Sequence, residues 1–276
     1  MSDRDPRPED TRLTPAGQPL RIVLHTLVLL LWILVGASTM LVLRLLRSSA
    51  VYRFPLLFHG FVCRLCGMRV EVHGQPTAQH PAVYVSNHAS YLDVFVLGSQ
   101  IEGAFVAKSE VAGWPLFGKL AKLQNTLFLE RNPRRAAEQI EVLEQHLTNG
   151  ESLILFPEGT STSGDYVAPF RSSLFAATES SAIQPVSVVY ADYEGRPMSA
   201  TEREAYAWYL PDPKVPVPNR SFVGHFVNAL GLGPSRVIVA FHPPLQGGDR
   251  KQLAAEAQAL VQAGLLERLG DGDQAG

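Results

Sequence analysis

The sequence predicts an α/β fold: a mixed, largely parallel sheet covered by helices, with an N-terminal membrane-anchoring helical segment ahead of it. Two observations carry this expectation. From Arg69 onward, short β-branched runs alternate with helix-patterned stretches, the order that produces parallel strands joined by crossover helices. Before them, Ile22 to Leu43 is almost unbroken in apolar residues, apart from His25, Thr26 and a Ser-Thr pair. Composition agrees. Hydrophobic residues make up 46% of the 276 and charged residues 18%, below the roughly 25% usual in soluble domains. The mean hydropathy of +0.04 therefore predicts that part of the chain faces lipid. A net charge of −2 carries no electrostatic footprint for nucleic acid.

Taken in order, Met1 to Gln18 is polar, charged and Pro-containing, and residues 1–19 are expected to form a disordered tail. Residues 20–68 are expected to anchor the chain. A helix over Ile22–Leu43 would be about 33 Å long, close to the thickness of a hydrocarbon core. A signal peptide fits poorly, because Arg44 and Arg47 follow where a small-residue cleavage site would stand. Basic residues on both flanks leave the orientation open and suit a helix that enters and returns to one leaflet. Val51–Met68 is apolar but interrupted by Arg53, Pro55, His59 and Arg64. It reads either as an interfacial helix or as a buried helix of the domain. Cys63 and Cys66 form a lone C-x-x-C with no second pair at metal-like spacing, and read as small apolar residues.

Residues 69–248 carry the strand candidates Arg69–Val72, Ala82–Ser86, Ala104–Ala107, Thr126–Leu129, Ser152–Phe156, Pro185–Tyr190 and Val237–Phe241. The best helix is Pro133–Thr148, with Asn132 as its cap, Pro133 at its first position and Gly150 beyond its end. Asp192–Asn219 is rich in Pro and charge and reads as a surface excursion. Residues 249–276 are expected to add an amphipathic helix, Lys251–Leu269, and a loose tail.

Three constellations carry chemistry. Ser86-Asn87-His88-Ala89-Ser90-Tyr91-Leu92-Asp93 follows a strand directly. If the intervening residues turn, Asp93 can hold the His88 tautomer, and His88 can take a proton from a hydroxyl; alone, the pattern equally admits a capping role. Phe156-Pro157-Glu158-Gly159-Thr160 places a carboxylate, a flexible backbone and a hydroxyl at a strand's C-terminal end, where open α/β sheets hold ligands; the alternative is an ordinary Pro-Gly turn. Arg131, after Asn125…Phe128, with Lys108 after another strand, suits a phosphate, or is a solvated helix start.

In this order and spacing the blocks resemble the PlsC-type glycerolipid acyltransferase family. The resemblance rests on Asn87-His88…Asp93, Asn125…Phe128…Arg131, Phe156–Thr160 and Gln184-Pro185-Val186, with Lys108-Ser109-Glu110…Trp114-Pro115-Leu116-Phe117-Gly118 between them. It implies a glycerolipid acyltransferase-like domain over residues 69–248 that acts on the cytoplasmic face of the inner membrane. It implies His88 as general base supported by Asp93, with Asn87, Lys108, Arg131, Glu158, Gly159 and Thr160 binding substrate. The donor would be acyl-CoA or acyl-carrier protein, with no metal and no further cofactor, and the partners a lysolipid and the bilayer. The expected acceptor is 1-acylglycerol-3-phosphate, with lyso-ornithine lipid as the alternative.

Two positions depart from the family pattern. Asn125 stands where the second block has Gly, a change that left-handed backbone angles tolerate. Ser161 follows F-P-E-G-T where glycerophosphate members usually carry Arg, which removes a phosphate ligand. Phe156–Phe175, Ala207-Trp208-Tyr209 and Phe241-His242-Pro243-Pro244-Leu245 look more like the branch with lyso-ornithine lipid acyltransferases. The rival readings are hydrolysis by the same base and a catalytically inactive lipid-binding membrane protein.

Overall fold

The computed structural model describes residues 16–130, 133–176, 181–209 and 221–270. Two N-terminal helices, α1 (Pro19–Leu45) and α2 (Ala50–Leu65), lead into β1 (Met68–His73), β2 (Ala82–Ser86), α3 (Leu92–Gly98), β3 (Ala104–Lys108), α4 (Phe117–Leu123) and β4 (Leu127–Leu129). The chain continues through α5 (Ala136–Thr148), β5 (Leu153–Leu155), β6 (Ala182–Tyr193), β7 (Arg196–Pro197), α6 (Ala200–Arg203), α7 (Phe222–Ala229), β8 (Ser235–Phe241) and α8 (Arg250–Gly270).

The strands form one sheet in the order β1-β8-β6-β2-β5-β3-β4, with β7 paired to β6. All neighbours are parallel except β6–β8 and β6–β7. This is the mixed, mostly parallel sheet that the alternating pattern predicts. Both faces are covered, so the central strands read as continuous apolar runs. Along β2 the side chains alternate between two cores. Tyr84 joins the α2, α3 and α7 side, and Val83 and Val85 join the α5 and α8 side. Each such fully buried aliphatic residue stabilises the fold by about 1.5–3 kcal/mol.

Several elements differ from the sequence reading. The strand expected from Pro185 begins three residues earlier, at Ala182; proline is a poor interior strand residue, so it masks the true start. Asn132, the expected cap, lies outside the described residues. Pro133–Arg135 form a 3₁₀ turn, and α5 starts at Ala136, because the Arg135 backbone, at φ −104° and ψ 9°, stands outside the helix; its side chain pairs with Glu130 and Glu138, both at 2.7 Å. The first part of the excursion expected over Asp192–Asn219 instead returns to the core as far as Trp208, and 210–219 lie outside the described residues. Ser199 and Glu202 form a reciprocal capping box on α6, and Tyr206 is fully buried against Tyr190 and Tyr193.

Helix α2 turns out to be half of each alternative. Phe58, His59, Val62, Cys63 and Leu65 are buried, while Arg53 and Arg64 are exposed. Cys63 and Cys66 are free, buried thiols, and burial raises both above the usual cysteine range. Helix α8 is an integral layer. Leu253, Ala254, Ala257, Val261 and Leu265 are buried within the second core. Residues 1–15, most of the tail expected to be disordered, lie outside the described residues. Just beyond them, the Gly17 and Gln18 amides donate to Asn228 Oδ1 at 2.7 Å and to the Gly231 carbonyl at 3.1 Å.

Candidate active site

Strands β6, β2, β5, β3 and β4 run in the same direction. The turns and loops at their C-terminal ends therefore share one edge of the sheet. His88 follows β2, Glu158 follows β5, and Lys108 ends β3, half-buried. Arg131, expected after β4, lies outside the described residues.

The H-x4-D turn closes and brings its two end side chains together. Ser90 and Tyr91 turn the chain into α3, which places Asp93 in that helix's first turn. His88 Nδ1 lies 2.9 Å from Asp93 Oδ2. The same oxygen accepts the Ala89 amide at 2.8 Å and the Ser90 amide at 2.9 Å. Asp93 Oδ1 accepts the Tyr190 hydroxyl at 2.7 Å. Asp93 is fully buried, yet every donor aimed at it is an N–H or O–H, which fits an ionised carboxylate. Burial, reinforced by the Asp93 charge, holds the Tyr190 phenol well above its usual range, so Tyr190 stays a neutral donor. With Nδ1 committed to Asp93, His88 Nε2 is the nitrogen available to a reacting group. The ring stacks on Phe156 at 4.1 Å and remains 21% exposed.

Glu158 lies beside this pair but faces the backbone. Its Oε1 accepts the His88 amide at 2.6 Å and its Oε2 the Ala168 amide at 2.7 Å. Burial raises its carboxyl to about 7, against the lowering effect of those two amides. Between Glu158 and Arg171 the chain loops out and is tied back at several points. Thr162 N donates to the His88 carbonyl at 2.8 Å, and Arg171 N to the Pro157 carbonyl at 3.0 Å. Ser161 Oγ donates to the Trp208 carbonyl at 2.6 Å, and the Trp208 amide donates to Ala89 O at 2.8 Å. From α8, Gln262 and Gln258 accept the Val167 and Phe170 amides at 2.8 and 3.1 Å. Gly159 takes a positive φ of 65° at the turn, and Thr160 is exposed.

Of the residues expected at the site, His88, Asp93, Glu158 and Gly159 come together. Asn87 is adjacent but turned inward. It is buried, and its side-chain amide exchanges two hydrogen bonds with the Val188 backbone, at 2.9 and 2.8 Å. Asn87 thus fastens the end of β2 to β6 and presents no group to a ligand in this arrangement. Asn125 takes φ +59°, the left-handed angle expected of the residue standing in for Gly, and its Oδ1 accepts from Arg44 Nη2. Tyr190 and the α8 glutamines escape sequence reading, because their partners lie far away in the chain. An aromatic wall of Tyr91, Trp114, Trp208 and Phe222 stands next to the turn. A cavity of about 190 Å³ lies elsewhere, lined by Met40, Pro55, Gly103 and Ser152. Gly103 and Ser152 mark the N-terminal ends of β3 and β5, the opposite edge from His88, so reacting groups do not meet there.

Comparison with known proteins bears on this site. A family model described as Acyltransferase matches residues 69–191. The chain is 38% identical over 221 residues to a lyso-ornithine lipid O-acyltransferase of Rhodobacter capsulatus, covering 75% of each chain. It is 34% identical over 240 residues to a protein of the same name from Brucella abortus, covering 81% of this chain and 87% of that one. A 1-acyl-sn-glycerol-3-phosphate acyltransferase of Neisseria gonorrhoeae is 33% identical over 139 residues, 49% of this chain and 53% of its own. The fold resembles the crystal structure of the 1-acyl-sn-glycerophosphate acyltransferase PlsC from Thermotoga maritima, with a TM-score of 0.65 at 21% identity over 90% of this chain and 94% of that one.

Proposed function

The chain belongs to the acyltransferase family, and from that premise we propose that it moves a fatty acyl group from a thioester donor to the free hydroxyl of a lysolipid. The observation that carries this reading is the His88–Asp93 pair, with Nδ1 held by a buried carboxylate and Nε2 left open. In the proposed reaction, Nε2 takes the proton of the acceptor hydroxyl as its oxygen attacks the thioester carbonyl. The carbon–sulfur bond breaks, the thiolate leaves, and the proton passes from the imidazolium to sulfur. Asp93 keeps the reactive tautomer and stabilises the imidazolium. The mechanism uses no acyl-enzyme, and the chain has no G-x-S-x-G elbow. Glu158 and Asn87 act as positioning residues, one for the His88 backbone and one for the end of β2. The donor is acyl-CoA or acyl-carrier protein, and no metal or other cofactor takes part.

For the acceptor, the relatives that match over the greater part of the chain favour lyso-ornithine lipid, in accord with Ser161 in place of Arg. The shorter match to 1-acylglycerol-3-phosphate acyltransferases supports lysophosphatidate as the second reading.

Helix α1 supports attachment to one leaflet. It is 27 residues long with a mean hydropathy of 2.4 in its most apolar stretch. Leu24, Leu27, Leu31, Leu34 and Leu41 are all more than half exposed. Both ends are tied to the domain. His25 Nδ1 lies 2.8 Å from the Leu230 carbonyl, and Arg44 donates to the Leu123 carbonyl at 2.8 Å. A helix held along its length by one folded domain lies in the interface rather than crossing the bilayer. A soluble thioester donor supports a domain on the cytoplasmic face.

The test offers purified protein labelled acyl-CoA or acyl-carrier protein with lyso-ornithine lipid and lysophosphatidate side by side. Transfer to either acceptor, lost in His88→Ala, is the expected result. Release of free fatty acid regardless of acceptor would point to hydrolysis, and transfer to neither would overturn the acceptor class.

A further inference from the structure

Arg171 sits against the backbone of the F-P-E-G-T turn. A Cβ added to Gly159 would fall 2.9 Å from the Arg171 Cζ, 3.0 Å from Nε and 3.3 Å from Nη1. The guanidinium thus fills the place where a side chain at 159 would stand, one residue from the carboxylate that holds the His88 amide. Glycine is required here twice: its φ is +65°, and any side chain would displace the cation.

The backbone that carries Arg171 is fixed on both sides. Arg171 N donates to Pro157 O at 3.0 Å, and Arg171 O accepts from Leu174 N at 3.2 Å. The preceding amide, Phe170 N, is held by Gln258 of α8 at 3.1 Å. The side chain is exposed and pairs with no carboxylate among the described residues. An unneutralised guanidinium on a fixed backbone, lying against the turn whose Glu158 holds the His88 amide, is poised for an anionic group on a substrate. Its planar fork of donors matches two oxygens of a carboxylate or phosphate.

We propose that Arg171 binds the anionic headgroup oxygens of the acceptor lipid, supplying from ten residues downstream the cation that Ser161 does not provide. This inference rests on the acceptor class proposed above. The shared chemistry is a pair of anionic oxygens, whose source is the free carboxylate of an ornithine headgroup or the phosphate of lysophosphatidate. Position 161 is closed to this role, because the Ser161 hydroxyl is turned to the Trp208 carbonyl. Ligand recognition has therefore moved along the same loop to a side chain that lies back over its first turn.

The test uses full-length protein in mixed micelles, as wild type, Arg171→Gln and Arg171→Lys. The acceptors are lyso-ornithine lipid, its neutral carboxamide and lysophosphatidate. KM is measured separately for acceptor and donor. With Arg171→Gln, the KM for the anionic acceptor should rise about ten- to a hundredfold, with kcat and donor KM changed by no more than about twofold, the size expected for one lost charge-assisted contact. Arg171→Lys should recover part of that loss. Wild type should discriminate against the carboxamide, and Arg171→Gln should not. Whichever anionic acceptor shows the effect identifies the source of the oxygens. An unchanged acceptor KM, a rise in donor KM instead, or carboxamide discrimination that persists in Arg171→Gln would overturn the proposal while leaving the acceptor class intact. Wild-type transfer to none of the three lipids would overturn both. The exposed side chain predicts an unchanged unfolding midpoint for both variants, so a KM effect reads binding.

Discussion

The Tyr190 hydroxyl donates to Asp93 Oδ1 at 2.7 Å, so the buried carboxylate behind His88 is held from β6 as well as from its own turn. Removing that hydroxyl leaves one oxygen of a fully buried carboxylate without a partner among the described residues. Tyr190→Phe keeps the ring and its contact with Tyr206. It should therefore lower stability by about 1–3 kcal/mol and reduce kcat, because Asp93 loses one of the donors that fix its orientation. Denaturant unfolding and acyl-transfer kinetics on the same preparation would check this. A stable variant with wild-type kcat would show that the turn amides alone suffice.

The dyad itself makes a sharper demand. His88→Ala should abolish acyl transfer while leaving vesicle binding intact, since the exposed leucines proposed to meet lipid lie on α1 and not in the turn. Asp93→Asn can keep the amide and phenol contacts in a rearranged form but removes the charge that stabilises the imidazolium. Its kcat should fall by about two to four orders of magnitude. Loss of vesicle binding together with activity would instead mean that the substitution had damaged the fold.

Glu158 predicts a pH dependence. Its carboxyl is raised from 4.5 to about 7 in the folded protein, so between those values the native state binds more protons than the unfolded one. Stability from this group is fully present below pH 4.5 and is lost as pH rises through about 7. Urea midpoints should accordingly drop between about pH 5 and pH 7 by more in wild type than in Glu158→Gln, which has no proton to lose at this position. Equal drops in the two proteins would show that some other group sets the slope.

Much of this was legible in the sequence, for physical reasons. Strand β2 is buried on both faces, so its apolar run is continuous and its bounds, Ala82–Ser86, are as expected. The His88–Asp93 pair is local, five residues apart, and a turn is enough to make it. Tyr190 is ninety-seven residues from Asp93, and Gln262 ninety-five from Val167; such contacts arise only from strand order and helix docking. Around Asp192–Trp208 the charge of Arg196, Glu202 and Arg203 obscures a segment that buries Tyr206. The Ser199…Glu202 spacing was nonetheless a capping-box signal for α6. Asn87 shows the converse limit. Its place in the motif suggests substrate, but only the structure reveals that Val188 occupies its amide.

The arrangement of α1 bears on how the proposed membrane attachment is made. A helix of 27 residues is about 40 Å long, enough to cross a bilayer. Yet its first turns bond to the segment after α7, and its last turn to the end of α4 and to Asn125 just beyond it. Crossing would require one of these attachments to break or to enter hydrocarbon. The flat arrangement proposed above keeps both and would bury the exposed leucines in a single leaflet. Single cysteines at Ala16 and Ser49, flanking α1, should therefore both react with an impermeant maleimide added to the same side of sealed vesicles. The native Cys63 and Cys66 are buried and should stay silent. Leu27→Glu with Leu31→Glu should release the protein from vesicles without loss of fold, because both side chains are more than 60% exposed. Labelling of the two cysteines from opposite sides would establish a spanning helix and require the α1 contacts to open in the membrane.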